Sequence, residues 1–109
     1  MLIDLKLNGK TVMVIGGGAE ATRKIQSFLD SGAKIWVISR EFTSELQKLG
    51  EEKRVALLKT GIKDAQVFVD SLSPKPYVLL AATNNSALNF EMVKAAKPYG
   101  CMVYAVNNP

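Results

Sequence analysis

Three consecutive glycines, Gly16 to Gly18, stand between an apolar run and a stretch with helical periodicity, and no other feature of the chain restricts its fold as much. The run before them, Thr11 to Ile15, is apolar and β-rich without polar alternation, the pattern of a strand buried on both faces. After them Ala21, Ile25, Phe28 and Leu29 recur at helical spacing, and Gly32 stands where a helix would stop. A strand, a tight glycine turn and an amphipathic helix in that order open a βαβ unit.

The alternation continues along the chain. Lys34 to Ser39 predicts a second strand, and Ser44 to Leu49 a brief helix with Ser44 as N-cap, Gln47 as its capping-box partner and Gly50 as its end. Val55 to Lys59 reads as a third strand, and Ile62 to Leu72 as a helix closed by Ser73-Pro74-Lys75-Pro76. Tyr77 to Ala82 is a fourth strand, Ser86 to Lys97 a helix closed by Pro98 and Gly100, and Met102 to Val106 a fifth strand. Upstream, the residues around Asn8-Gly9, from Leu5 to Val12, read either as a short hairpin or as a plain loop. Trp36, between Ile35 and Val37, is expected in the core or against a helix. Strands alternating with helices imply a parallel sheet with helices on both faces, and right-handed crossovers give the strand order 3-2-1-4-5. That is a doubly wound, Rossmann-like α/β domain occupying residues 1–109. Its ligand crevice opens at the carboxyl ends of strands one and four, between Gly16 to Glu20 and Thr83 to Ser86.

Composition narrows the chemistry. The 109 residues include no histidine, which removes Ser-His and Cys-His hydrolytic schemes and imidazole metal ligation. With Cys101 as the single cysteine, neither an internal disulfide nor a structural zinc site can form, and Cys101 reads as a small buried apolar residue. No metal ligand is assigned. Lys and Arg exceed Asp and Glu for a net charge of +4, but they are scattered, with no aromatic-basic cluster to read nucleic acid. An anionic small molecule suits the same charge. Apolar runs such as Val78 to Ala82 fall far short of the ~20 residues that span a bilayer, and the opening M-L-I-D-L-K lacks a signal-peptide layout. A cytoplasmic protein with no membrane partner is expected.

Gly16-x-Gly18-x-x-Ala21 matches the dinucleotide fingerprint, with Ala21 in the place of the third glycine. Gly16 permits the tight turn, Gly18 has no Cβ to block a pyrophosphate, and Ala21 lets the helix lie close to the strand. Free N–H groups at the helix start then favour an anion. A nucleotide site is preferred to a purely structural corner because the pattern follows a strand and opens a helix. At the end of the second strand, where an acidic residue usually grips the ribose, stand Ser39, Arg40 and Glu41. Ser39-Arg40 suits the 2′-phosphate of NADP, Glu41 suits the ribose of NAD, and a solvated Arg-Glu pair is a third reading that the sequence leaves open.

Four stretches together carry a family resemblance: V-I-G-G-G-A-E-A-T-R-K, S-R-E-F-T-S-E-L, L-L-A-A-T-N-N-S-A-L-N and the terminal V-Y-A-V-N-N-P. The chain resembles, from Leu5 to Pro109, the NAD-binding domain of siroheme synthases, the precorrin-2 dehydrogenase family. The resemblance implies NAD-dependent oxidation of the tetrapyrrole precorrin-2 to sirohydrochlorin, with iron insertion in some members and a homodimer in full-length relatives. It implies that Ala19 and Glu20 line the pyrophosphate, that Arg40 and Glu41 lie at the adenosine ribose, and that Thr83 lies on the nicotinamide side; Gly16, Gly17, Gly18, Ser39 and Asn84 are expected with them in the cofactor site. Where the family has a catalytic aspartate in its closing V-D-x-P segment, this chain has Asn107, and Asn84-Asn85 stands where Asp-Asp is common. Family members also continue past this proline, so the chain reads as an excised domain, a short relative or a non-catalytic NAD(P)-binding sensor. The sensor reading expects an acidic residue ending the second strand, and none is there.

Overall fold

The computed structural model describes residues 6–106. Thr11–Ile15 forms β1, and its apolar side chains divide between two cores: Val12 and Val14 enter one, Met13 and Ile15 the other. A strand with no polar face must be covered twice, so β1 takes the centre of the sheet. Lys34–Ser39 is β2, Ala56–Lys59 β3, Val78–Ala81 β4 and Met102–Ala105 β5, all parallel in the order β3-β2-β1-β4-β5. Helices α1 (Ala19–Gln26) and α2 (Ser44–Glu51) supply Ala21, Ile25, Leu46 and Leu49 to one core. Helices α3 (Ala65–Ser71) and α4 (Ser86–Ala96) supply Val69, Met92 and Ala95 to the other. The doubly wound Rossmann-like sheet and its strand order are as the sequence implied.

Several boundaries differ from expectation. Helix α1 ends at Gln26; beyond it the Ser27 and Ser31 hydroxyls donate to the Lys24 and Phe28 carbonyls. The chain then tightens into four-residue turns, each N–H bonding the carbonyl three residues back, until Gly32 at φ +81°. Phe28 and Leu29 still pack on the core from those turns. The cap of α2 is Thr43, not Ser44: its hydroxyl accepts the Leu46 N–H at 3.2 Å, while Gln47 reaches back to the Phe42 carbonyl. Gly50 lies inside that helix rather than ending it. Helix α3 starts three residues later than Ile62, at the point where the Asp64 carboxylate caps it by accepting the Val67 N–H at 3.0 Å.

The hairpin reading fails among the described residues, and Leu5 lies outside them. Asn8-Gly9 does turn, with the Lys10 N–H on the Leu7 carbonyl at 2.8 Å, but Lys6 and Leu7 belong to no strand. Gly9 and Lys10 bond instead to Gly32 and Lys34, so the turn docks on the entrance to β2. Trp36 is also misplaced by the sequence reading, being 41% exposed. It shares the pleat of Ile38, on the side where α3 packs on α4 and α4 covers β4 and β5, which leaves the outer half of β2 open. Cys101 is buried as expected, and burial pushes its thiol pKa up.

Candidate functional site

At the carboxyl end of the sheet the chain leaves β1 through the glycine triplet, whose members do different work. Gly16 adopts φ +128°, and a Cβ there would lie 2.5 Å from the Ala82 carbonyl oxygen. Its missing side chain therefore lets the loop lie directly against the end of β4. Gly17 is buried, and a Cβ on it would overlap the Glu41 carbonyl oxygen and lie 2.9 Å from Ser39 Cβ. The Thr43 N–H bonds the Gly17 carbonyl at 3.0 Å, so the glycine turn and the loop after β2 are one hydrogen-bonded unit. Gly18 alone faces open space, with nothing within 4 Å of a Cβ built there. The missing side chain at 16 and 17 answers a protein contact, whereas at 18 it leaves room for a ligand.

Gly18 is the N-cap of α1, in extended conformation and without a side-chain cap bond. The first N–H groups of a helix have no intrahelical acceptor, and together with the helix dipole they draw an anion. Glu20 in the first turn pairs with Arg23 and gives no cap to these groups. Behind them a buried Thr22 hydroxyl donates to the Gly18 carbonyl at 2.8 Å and lies 2.9 Å from the Thr43 hydroxyl. Since Thr22 uses its proton on Gly18, Thr43 is the donor between the two hydroxyls, and it accepts from Leu46. Gly18, α1 and the start of α2 are thereby linked through two side chains.

A cavity of about 690 Å³ opens above this turn, lined by Gly16 to Glu20, Ser39 to Thr43 and Ala82 to Asn84. It is large enough for a small organic ligand of the usual pocket range. Every nucleotide-site residue named from sequence borders it: Gly16, Gly17, Gly18, Ala19, Glu20, Ser39, Arg40, Glu41, Thr83 and Asn84. Asn107 lies outside the described residues. Asn85 and Ser86 are not part of the wall, because Asn85 is spent capping α4 by accepting the Leu88 N–H at 3.0 Å. Sequence reasoning missed Phe42, Thr43 and Ala82 in the wall and Thr22 beneath it. The available signal was Thr43, one residue before a helix that had been given the wrong cap.

The β4 side of the cleft is held by a buried amide. Asn89, 1% exposed, accepts from the Thr83 N–H at 3.0 Å and the Thr83 hydroxyl at 2.6 Å. Its NH₂ group donates to the Thr83 carbonyl at 3.0 Å and the Val106 carbonyl at 3.3 Å. A buried amide satisfied on both ends fixes its partners strongly, so Thr83 and the exit of β5 are tied to one side chain.

Comparison with known proteins gives a uniform result. A family described as "Putative NAD(P)-binding" matches residues 3–109. The chain is 28% identical over 97 residues to the precorrin-2 dehydrogenase of Bacillus subtilis (strain 168), covering 89% of this chain and 56% of that one. It is 34% identical over 104 residues to the siroheme synthase of Ectopseudomonas mendocina (strain ymp), covering 95% of this chain and 21% of the relative. Among solved structures, "SirC, precorrin-2 dehydrogenase" superimposes with a TM-score of 0.76 at 27% identity, over 94% of this chain and 47% of the other. The chain thus spans about half, or less, of the length of these relatives.

Proposed function

The chain belongs to the NAD(P)-binding domain family of the precorrin-2 dehydrogenases and siroheme synthases, and we propose that residues 1–109 are the NAD-binding domain of a dehydrogenase acting on precorrin-2. The observation that carries the reading is Gly18: an uncapped helix N-terminus beneath open space in a cavity of about 690 Å³. In this reading the N–H groups of Ala19 and Glu20 hold the pyrophosphate, while Ser39, Arg40 and Glu41 border the adenosine. Thr83 and Asn84 border the nicotinamide. Bound NAD would supply a hydride acceptor for the oxidation of precorrin-2 to sirohydrochlorin. NAD is preferred over NADP because Glu41, in the wall on the adenosine side, repels a further phosphate there, with Arg40 as the single basic residue in the wall.

A net charge of +4 suits a macrocycle ringed with carboxylates, and a homodimeric, cytoplasmic whole enzyme completes the proposal. Asn107 stands at the family's aspartate position, and an amide has no proton to exchange near neutral pH. With an amide at 107, the protein is proposed to bind NAD and to turn over little precorrin-2. Calorimetric titration of NAD and NADP into the folded protein tests the first part, and saturable binding with NAD the tighter ligand is expected. Failure of a folded protein to bind either nucleotide would sink the reading. Precorrin-2 oxidation by Asn107→Asp tests the second part, with turnover expected to rise above that of the parent.

A further inference from the structure

Gly61 follows β3 on the outer side of the cleft, and its glycine answers no backbone demand. The described glycines with positive φ are Gly9, Gly16, Gly32 and Gly100, so Gly61 does not occupy the left-handed region that favours glycine. What the missing Cβ admits is Arg40. A Cβ built on Gly61 would overlap Arg40 Nε and lie 3.0 Å from Nη2 and 3.1 Å from Cζ. The two loops are also clipped together, because the Thr60 N–H donates to the Ser39 carbonyl at 2.8 Å. Arg40 borders the nucleotide cavity, and its guanidinium makes no hydrogen bond or ion pair among the described residues. It is a cation seated by shape alone, on bare backbone, with its donors uncommitted.

We propose that Gly61 is a positioning residue for the adenosine half of the nucleotide, acting through Arg40; this rests on the NAD-binding reading above. With no side chain at 61, the guanidinium rests against the end of β3 at the wall of the cleft, on the side where the strand order puts the ribose end of a dinucleotide. A long side chain seated before the ligand arrives gives up less freedom on binding, so its donors are worth more to the ligand. Alanine at 61 takes the seat away. The displaced atoms are the far end of a flexible, exposed side chain, so Arg40 moves and the fold does not.

The test is a double-mutant cycle read by calorimetric titration of ADP, with NAD in parallel, into the parent, Gly61→Ala, Arg40→Ala and the double variant. Gly61→Ala should weaken ADP about fivefold with its thermal midpoint unchanged, and should cost nothing further once Arg40 is alanine. A structural role for Gly61 independent of Arg40 would give the same loss in both backgrounds and would overturn the proposal. Undiminished ADP binding by Gly61→Ala would overturn it equally. If the folded parent binds neither ADP nor NAD, the nucleotide reading itself falls, an outcome distinct from nucleotide binding that is indifferent to residue 61.

Discussion

Gly18→Asp should make the protein more stable and a worse nucleotide binder at once. Gly18 caps α1 at φ −93°, ψ −161°, an extended conformation that aspartate accepts, and nothing lies within 4 Å of a Cβ there. An aspartate at that site accepts one of the free N–H groups of the first turn, a gain over glycine of a few tenths of a kcal/mol. Its charge adds about 0.3–1 kcal/mol against the helix dipole, and loss of glycine's freedom in the unfolded chain adds about 0.4–1 kcal/mol. The sum of about 1–2 kcal/mol raises the thermal midpoint by roughly 5–15 °C in a domain of this size. The same carboxylate occupies the anion site. It removes a charge-assisted hydrogen bond of about 1.5–3 kcal/mol and adds repulsion, so NAD affinity should fall by about 100-fold or more. Thermal unfolding by circular dichroism and calorimetric titration with NAD read the two effects separately. A lowered midpoint would refute the capping argument, and NAD binding within about threefold of the parent would refute the placement of the pyrophosphate.

Other perturbations follow from the same contacts. Gly16→Ala forces a side chain into φ +128° and against the Ala82 carbonyl, and should cost about 2–4 kcal/mol, read as a lower urea midpoint at unchanged slope. Thr43→Ala removes the acceptor of the Leu46 N–H and the donor to Thr22, and should cost about 1–2 kcal/mol in the same assay. The Tyr99 hydroxyl, then the Gln66 amide, hold the Asp70 carboxyl below its ordinary 3.8, and Asp70 in turn raises the Tyr99 pKa above 10.0. Asp70 thus contributes stability that is present above pH 4 or so and is lost as pH falls through its lower folded value. Tyr99 contributes below about pH 10 and loses its contribution as pH rises through its raised value. Midpoints measured across both limbs should therefore fall less steeply at each end in Tyr99→Phe than in the parent, and parallel curves would disprove the coupling.

The centre of this fold was legible because it depends on residues next to one another in sequence. Thr11 to Ile15 needs cover on both faces wherever it is placed, and that forces a central strand with helices on either side. Gly18 was legible for the same reason, since its role is set by the helix that follows it. What the sequence could not carry depends on partners distant along the chain. Whether Asn8-Gly9 closes a hairpin depends on Gly32 and Lys34, which take its hydrogen bonds. Whether Trp36 is covered depends on where α3 and α4 settle, and they settle over the other half of the sheet. The α2 cap was misread between two adjacent hydroxyl residues, a choice that the Thr22 hydroxyl helps to make. Gly17 carried no distinct role in the fingerprint, because the Glu41 carbonyl it avoids lies beyond an entire helix and strand.

The clamps around the triplet bear on how the cleft would work. On one side Thr43 bonds Gly17 and meets Thr22; on the other, Ala82 lies against Gly16 and donates its N–H to Ile15 at 2.8 Å. Both flanking walls are thus fastened to the loop beneath Gly18, so a ligand seated there meets a cavity whose width is already set. Farther along the β4 wall, Val106 is held twice, its N–H on the Ala81 carbonyl at 2.8 Å and its carbonyl by Asn89 at 3.3 Å. Asn89 also holds Thr83, so the Thr83 side of the cleft and the last described residue share one buried anchor. Val106, which precedes position 107 in sequence, is therefore fixed relative to Thr83. On the proposed function, Asn107→Asp should therefore raise precorrin-2 turnover and leave NAD affinity near that of the parent, and a large change in NAD affinity would argue against it.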